Sequence, residues 1–284
     1  MQATDGVTVW VDGLLTDPAH ARVPALDHGF TVGDGVFESC KVTGGQAFAL
    51  TRHLRRLARS AAGLGLPAPD DELVRSAVRE VLSARHVEHG RLRITWTGGP
   101  GPLGSDRGPG GRDGTLVVAS VPTPPWPAHV AVTSVPWVRN ERSATAGLKT
   151  TSYAENVVAL QYAAARGAAE ALFRNTRGEL CEGTGSNVVV AVDGVLATPP
   201  LDSGCLAGIT RELLLEWAAD EGLPIEERAL PFTVLATAQE VLLLSTTRDV
   251  QVVDVVDDRP LRRGPLGAAA VDLFARRSLD STDP

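Results

Sequence analysis

Lysine is nearly absent from this chain. Of 27 basic Lys and Arg residues in 284, only Lys41 and Lys149 are lysines. A chain that meets its cationic needs with arginine keeps a lysine for a reason. One reason is chemical, because an amine can lose its proton and attack a carbonyl, which guanidinium cannot. Cysteine is also scarce. Cys40, Cys181 and Cys205 are odd in number and far apart, which excludes a disulfide framework and a paired-cysteine metal site and suggests a reduced, cytoplasmic protein. Positive charge is in deficit, with a net charge of −7 and a pI near 5.4. Aromatics are only 5% and do not interleave with basic residues, so nucleic acid is not the expected partner. No apolar run approaches the ~18–20 residues of a membrane span, and residues 1–20 lack a signal-peptide pattern.

The chain does have enough apolar residues, 43% hydrophobic, for a sizeable core in two domains. Alternation predicts strands at 7–11, 36–42, 92–96 and 115–121. Thr51 reads as the N-cap of a helix over 52–62, with Leu54, Leu57 and Ala58 inward, and a second helix follows Asp70–Asp71. The loop 98–114 is dense in Gly and Pro. It lacks the Lys-Ser/Thr ending of a phosphate loop and reads as an active-site lid or as a surface loop. The proline-rich stretch 122–128 is the expected linker, dividing a smaller domain, 1–121, from a larger one, 129–284, that carries Lys149. The second half is expected to run through a strand at 130–135 and an amphipathic helix over 152–166 carrying Val157, Val158, Leu160 and Ala164. Strands at 171–174, 188–192 and 240–244 follow, with helices over 211–221 and 267–277.

Several residues carry chemistry. Lys149 lies just before a helical pattern, where a rigid element can hold it. Arg52 sits in the first turn of a helix that follows a strand. The stretch Gly204–Cys205–Leu206–Ala207–Gly208–Ile209–Thr210 opens another helix, offering backbone N–H groups, a dipole and a hydroxyl to an anion such as a phosphate, or serving as an ordinary helix start. Glu182 is a loop carboxylate, and Thr246–Thr247 place hydroxyls at a strand end. An amine for a Schiff base, a carboxylate for a ring nitrogen and a phosphate anchor are together the needs of pyridoxal phosphate.

On these residues the chain resembles the class-IV, fold type IV, pyridoxal-phosphate enzymes. These include branched-chain aminotransferases, D-amino-acid aminotransferases and aminodeoxychorismate lyases. The resemblance covers nearly the whole chain. It rests on Asp27–His28–Gly29–Phe30, Gly33–Asp34–Gly35–Val36–Phe37–Glu38, Leu50–Thr51–Arg52–His53 and Gly147–Leu148–Lys149, and then on Glu182–Gly183–Thr184–Gly185–Ser186–Asn187, Leu206–Ala207–Gly208–Ile209–Thr210–Arg211 and Ser245–Thr246–Thr247. It implies that Lys149 binds the cofactor aldehyde and later moves protons, and that Glu182 pairs with the pyridine nitrogen. Arg52, the backbone at Ile209, Thr210 and Thr246 would hold the phosphate. Tyr153 would meet the phenolic oxygen, although it follows the lysine by four positions where branched-chain aminotransferases have five.

The resemblance also implies a two-domain α/β (α+β) fold of the D-amino-acid aminotransferase type, a small-molecule substrate and a homodimer. It leaves the reaction open. Phe37 stands where D-amino-acid aminotransferases have a tyrosine, and their Arg-x-His pair after the 92–96 strand is missing. Phe37, Arg107 and Thr247 are the candidates for substrate contact, Arg107 toward a carboxylate. Glu38 and the loop 182–187 are similar to aminotransferases, whereas Lys149–Thr150–Thr151–Ser152–Tyr153–Ala154 is similar to aminodeoxychorismate lyases. Transfer of an amino group between an amino acid and a 2-oxo acid is the expectation. Release of 4-aminobenzoate and pyruvate from aminodeoxychorismate is the alternative, and a non-catalytic cofactor-binding protein is a remote third.

Overall fold

The computed structural model describes residues 6–108 and 114–284, so part of the expected lid at 98–114 lies outside the described residues. Two compact units form. The first takes in the described residues up to Pro125 together with Leu148–Ser152 and Asp283, and the second takes in nearly all of the rest. The lysine segment therefore belongs to the first unit and not, as a boundary at 122–128 implied, to the second half.

In the first unit the elements are β1 (Thr8–Val11), β2 (Leu14–Thr16), the short α1 (His28–Thr31), β3 (Gly35–Thr43), β4 (Gln46–Ala47), α2 (Leu50–Gly63), α3 (Asp71–Ala84), β5 (His89–Thr97) and β6 (Leu116–Pro122). The strands make an antiparallel six-stranded sheet in the order β2-β1-β6-β5-β3-β4. Alternate residues Val36, Val42, Leu92, Ile94 and Val118 pack with Leu54 and Leu57 of α2 and Val74, Val78 and Val81 of α3. Each fully buried aliphatic side chain there stabilises the unit by roughly 1.5–3 kcal/mol.

Helix α2 begins two residues earlier than its sequence suggests. Its N-cap is Ala49, in the left-handed conformation and without a side-chain cap. Thr51 lies inside the helix, where its amide and Oγ1 donate to the Asp283 carboxylate at 2.9 and 2.5 Å. The expected Thr51 cap is thus replaced by an acidic residue from the far end of the chain, acting at the positive end of the helix.

The second unit contains β7 (His129–Arg139), α4 (Ala154–Ala164), β8 (Glu170–Asn175), β9 (Leu180–Gly183), β10 (Asn187–Val192), β11 (Val195–Thr198), α5 (Ile209–Glu221), β12 (Ile225–Glu227), β13 (Glu240–Ser245), β14 (Asp249–Val256), β15 (Arg259–Pro260) and α6 (Pro265–Arg277). Its nine-stranded mixed sheet runs β12-β11-β10-β13-β14-β7-β8-β9, with β15 on β14. Strand β10 is buried almost throughout, as expected for a strand covered on both faces. On one side Val188, Val190 and Leu243 pack with Leu230 and Val234. Trp217 of α5 meets Phe274 of α6 with ring centroids 5.0 Å apart.

Helix α4 departs from the expected pattern. It starts at Ala154, and its buried side is Asn156, Ala159 and Ala163. Val157, Val158 and Leu160 are 56%, 52% and 41% exposed. Small alanines allow the helix close to the sheet, so the larger apolar residues face outward. No described helix is long and apolar enough to cross a membrane.

Candidate active site

In the first unit Lys149 is built into the edge of β3. Its carbonyl accepts from the Phe37 amide at 3.0 Å, and its amide donates to Ser60 Oγ at 3.2 Å. Thr150 bridges Val36, and the Thr151 amide donates to the Gly35 carbonyl at 2.8 Å. Leu148 packs over the last turn of α2 at Gly63, where a Cβ would lie 2.6 Å from its side chain. Lys149 is thus a residue with a fixed backbone, not a loop lysine. Its Nζ stands 4.5 Å from the centroid of the Phe37 ring, whose face also receives the Arg93 guanidinium at 3.5 Å. Phe37 is only 3% exposed.

Beside Phe37 on β3, Glu38 anchors a buried charge cluster. Arg56 donates to it through Nε at 2.7 Å and Nη2 at 2.6 Å, and His53 Nδ1 lies 2.6 Å from Oε2. Burial pushes the Glu38 carboxyl up, but the Arg56 charge and hydrogen bonds, joined by those of His53, outweigh it and hold it well below the usual carboxylate range. His53 is pushed down by burial, against the upward pull of Glu38, so it is neutral at pH 7. The Lys149 charge also acts on His53 and on Cys40, which places the amine within the field of this cluster. Arg52, one turn earlier than Arg56, is half-buried. Reading the helix for its first-turn arginine singled out Arg52 and passed over the buried Arg56. The available signal was the position of Arg56 beside Leu57 on the inward face.

Arg107 has another task. Its Nε and Nη2 donate to Asp34 at 2.8 and 2.7 Å, and Nη1 and Nη2 donate to the Gly65 and Leu64 carbonyls just past α2. Those donors hold the loop to the end of the helix; the expectation placed Arg107 at a substrate carboxylate.

The second unit brings its own set together around Glu182 on β9. Glu182 Oε2 accepts from the Leu206 amide at 2.9 Å, tying the strand to the segment that opens α5. Its Oε1 faces Arg139 Nε at 3.6 Å, beyond hydrogen-bond reach; this Nε is buried and without a hydrogen-bond partner. Arg139 stacks on Phe173 at 4.3 Å and reaches Glu155 and Asn156 in the first turn of α4 with Nη1. Asn156 in turn donates to the Thr184 carbonyl at 2.5 Å. Tyr153 is the N-cap of that helix, so its position and that of Glu182 are linked through Arg139. No sequence motif announced Arg139.

Ile209 and Thr210 are the first residues of α5, nearly buried, behind Gly208, where no side chain caps the helix. A Cβ at Gly208 would lie 1.9 Å from Asn187 Oδ1, so a larger residue there would have to displace the Asn187 side chain. Thr246 and Thr247 lie in the turn between β13 and β14. Burial and the neighbouring Glu182 charge push the Cys205 thiol up to about 11, and Cys181 is raised for the same two reasons. Both therefore stay protonated at neutral pH. Among the described residues no group of three or more His, Cys, Asp or Glu is arranged to hold a metal ion.

Residues 35–256 match the amino-transferase class IV family, a span that includes Phe37, Lys149, Glu182 and Thr246. A bifunctional aminodeoxychorismate lyase / D-amino acid transaminase of Mycobacterium tuberculosis is 33% identical, over 94% of this chain and 97% of that protein. A D-alanine aminotransferase of Staphylococcus aureus is 30% identical over 91% and 92%. Among solved structures, the branched-chain aminotransferase of Thermoproteus uzoniensis with norvaline superposes with a TM-score of 0.84 at 30% identity, covering 96% of this chain and 95% of that one. The chain belongs to the class-IV aminotransferases, enzymes that depend on pyridoxal phosphate.

Proposed function

We propose that the protein transfers an amino group between an amino acid and a 2-oxo acid, with Lys149 as the amine that engages pyridoxal phosphate. The observation that carries this reading is the fixation of Lys149 between the Phe37 amide and Ser60 Oγ, in a chain with only one other lysine. The residues fit the cofactor. The uncapped start of α5 would offer the amides of Ile209 and Thr210 to a dianion, joined by the Thr246 hydroxyl, and Arg52 is the first unit's candidate for the same anion. Arg56 joins it as the buried, pre-oriented arginine of α2. When bound, the cofactor supplies an aldehyde and a ring that accepts the electrons of a Cα–H bond. Glu182, oriented by the Leu206 amide, would pair with the ring nitrogen and hold a proton there. Tyr153 would donate to the phenolic oxygen. Lys149 would take the proton from the substrate's α-carbon and carry it on its amine, which stands 4.5 Å from the centroid of the Phe37 ring. Phe37 and Thr247 border the substrate.

The measurement is spectroscopic. Purified protein supplied with pyridoxal phosphate is expected to show a visible band that vanishes in Lys149→Ala, and a suitable amino donor without acceptor should convert it to the pyridoxamine form. A protein that stays colourless, or a Lys149→Ala variant with full turnover, overturns the assignment. Steady pyruvate release from aminodeoxychorismate would instead support lyase chemistry, which the name of the 33%-identical relative favours as the second reading.

The same reading extends to a cytoplasmic homodimer. The outward Val157, Val158 and Leu160 of α4, with Trp137 of β7 edge-on to Tyr162 at 5.5 Å, form an apolar face suited to a second copy.

A further inference from the structure

Glu170 is a buried acid that the proposed chemistry does not use. It opens β8 and is 1% exposed. Burying a carboxylate is costly unless donors surround it, and here they come from separate segments. Oε1 accepts from the Thr184 amide at 2.9 Å, from the Thr184 hydroxyl, and from the Ala171 amide at 3.1 Å. Oε2 accepts from Ser186 Oγ at 3.2 Å and faces Arg248 Nη2 at 3.4 Å.

The loop 183–186 wraps this carboxylate so closely that a Cβ on Gly183 would lie 3.2 Å from Glu170 Cγ and Cδ, and 2.6 Å from Ser186 Oγ. Glu182 is the residue immediately before that loop. On the other side, Arg248 follows Thr246–Thr247 in the β13–β14 turn. It is held over Trp126 at 4.1 Å and reaches Gln251 Oε1 and the Ala169 carbonyl. One anion therefore fastens two segments that each carry a residue assigned to the cofactor.

We infer that Glu170 is a positioning residue that sets Glu182 and Thr246 relative to each other, so that ring-nitrogen and phosphate contacts are met at once. The inference rests on the roles proposed above for Glu182 and Thr246. It is tested by titrating apo-protein with pyridoxal phosphate and by steady-state kinetics with an amino donor, for Glu170→Gln alone and in a Glu182→Gln background. Glu170→Gln is expected to raise the cofactor Kd about tenfold and lower kcat by a similar factor, the scale of losing an orienting partner behind a ligand, with the donor KM changed by less than about twofold. Because it acts through Glu182, its effect on kcat should shrink to less than about twofold in the Glu182→Gln background.

Thr184→Val, which removes one hydroxyl donor, should move the same quantities in the same direction, and it serves if Glu170→Gln fails to fold. Wild-type Kd and kcat in both variants overturn the inference, as does a Glu170→Gln effect that multiplies in full with that of Glu182→Gln. A Glu182→Gln protein with wild-type Kd and kcat overturns the role of Glu182 itself, and the inference with it.

Discussion

At the scale of single residues, the arginines of α2 separate by burial. Arg52 is half-buried, whereas Arg56 is 5% exposed and has two donors on Glu38. A guanidinium held in this way loses little freedom when it meets an anion. Arg56→Gln is therefore expected to weaken pyridoxal-phosphate binding by about ten- to hundredfold, the range for one charge-assisted hydrogen bond of about 1.5–3 kcal/mol, and Arg52→Gln by less. Titration of apo-protein measures this, with melting of the apo forms separating lost affinity from lost fold. Equal losses in the two variants would refute the ranking. Sequence reading singled out Lys149, Glu182 and Thr210 because each sits in a short run with its own chemistry. It could not find the Glu38–Arg56 pair, 18 residues apart. Alternation shows that Glu38 faces inward but not which cation meets it, since only the packing of α2 on β3 decides that.

Among the elements, α4 shows best how period and face differ. A 3.6-residue repeat locates two stripes, one of Asn156, Ala159 and Ala163 and one of the larger Val157, Val158 and Leu160. Hydrophobicity alone favours the second stripe as the inward one. The structure buries the first, because alanine permits closer approach of helix to sheet. If a second copy covers the outward stripe, then Val158→Asp should dissociate the protein into monomers at micromolar concentration, with sedimentation velocity as the measurement. A variant that still sediments as wild type would show that this face is not the contact. The same distinction explains Arg107. Its neighbours in the loop gave no hint of Asp34, 73 residues earlier, or of the carbonyls of Leu64 and Gly65.

For the whole molecule, the buried cluster predicts an acid limit. His53 is depressed below its ordinary 6.5, so the unfolded chain takes up a proton that the folded chain refuses. That part of the stability is present above 6.5 and declines as pH falls toward the folded value. Glu38 is depressed below 4.5, and its contribution is present above 4.5 and is lost as pH falls through its folded value. Each group contributes at most about 1.4 kcal/mol per pH unit in its window. Urea midpoints are expected to drop between pH 7 and pH 5, and His53→Gln should flatten that first decline. An unchanged slope in the variant would show that His53 does not titrate as argued.

The two-domain outline was legible from the proline-rich stretch 122–128 and from the change of strand and helix rhythm around it. The membership of Leu148–Ser152 in the first unit was not, because a pairing across 114 residues between Thr150 and Val36 leaves no local trace. That pairing governs the order in which the protein can be completed during synthesis. A nascent chain that has reached Pro125 still lacks the carbonyl for the Phe37 amide and the bridge partner of Val36, and the Asp283 carboxylate that receives the Thr51 amide is made later still. The first unit is thus completed only by segments made after the linker. A fragment cut at the linker carries an open sheet edge and an uncapped helix.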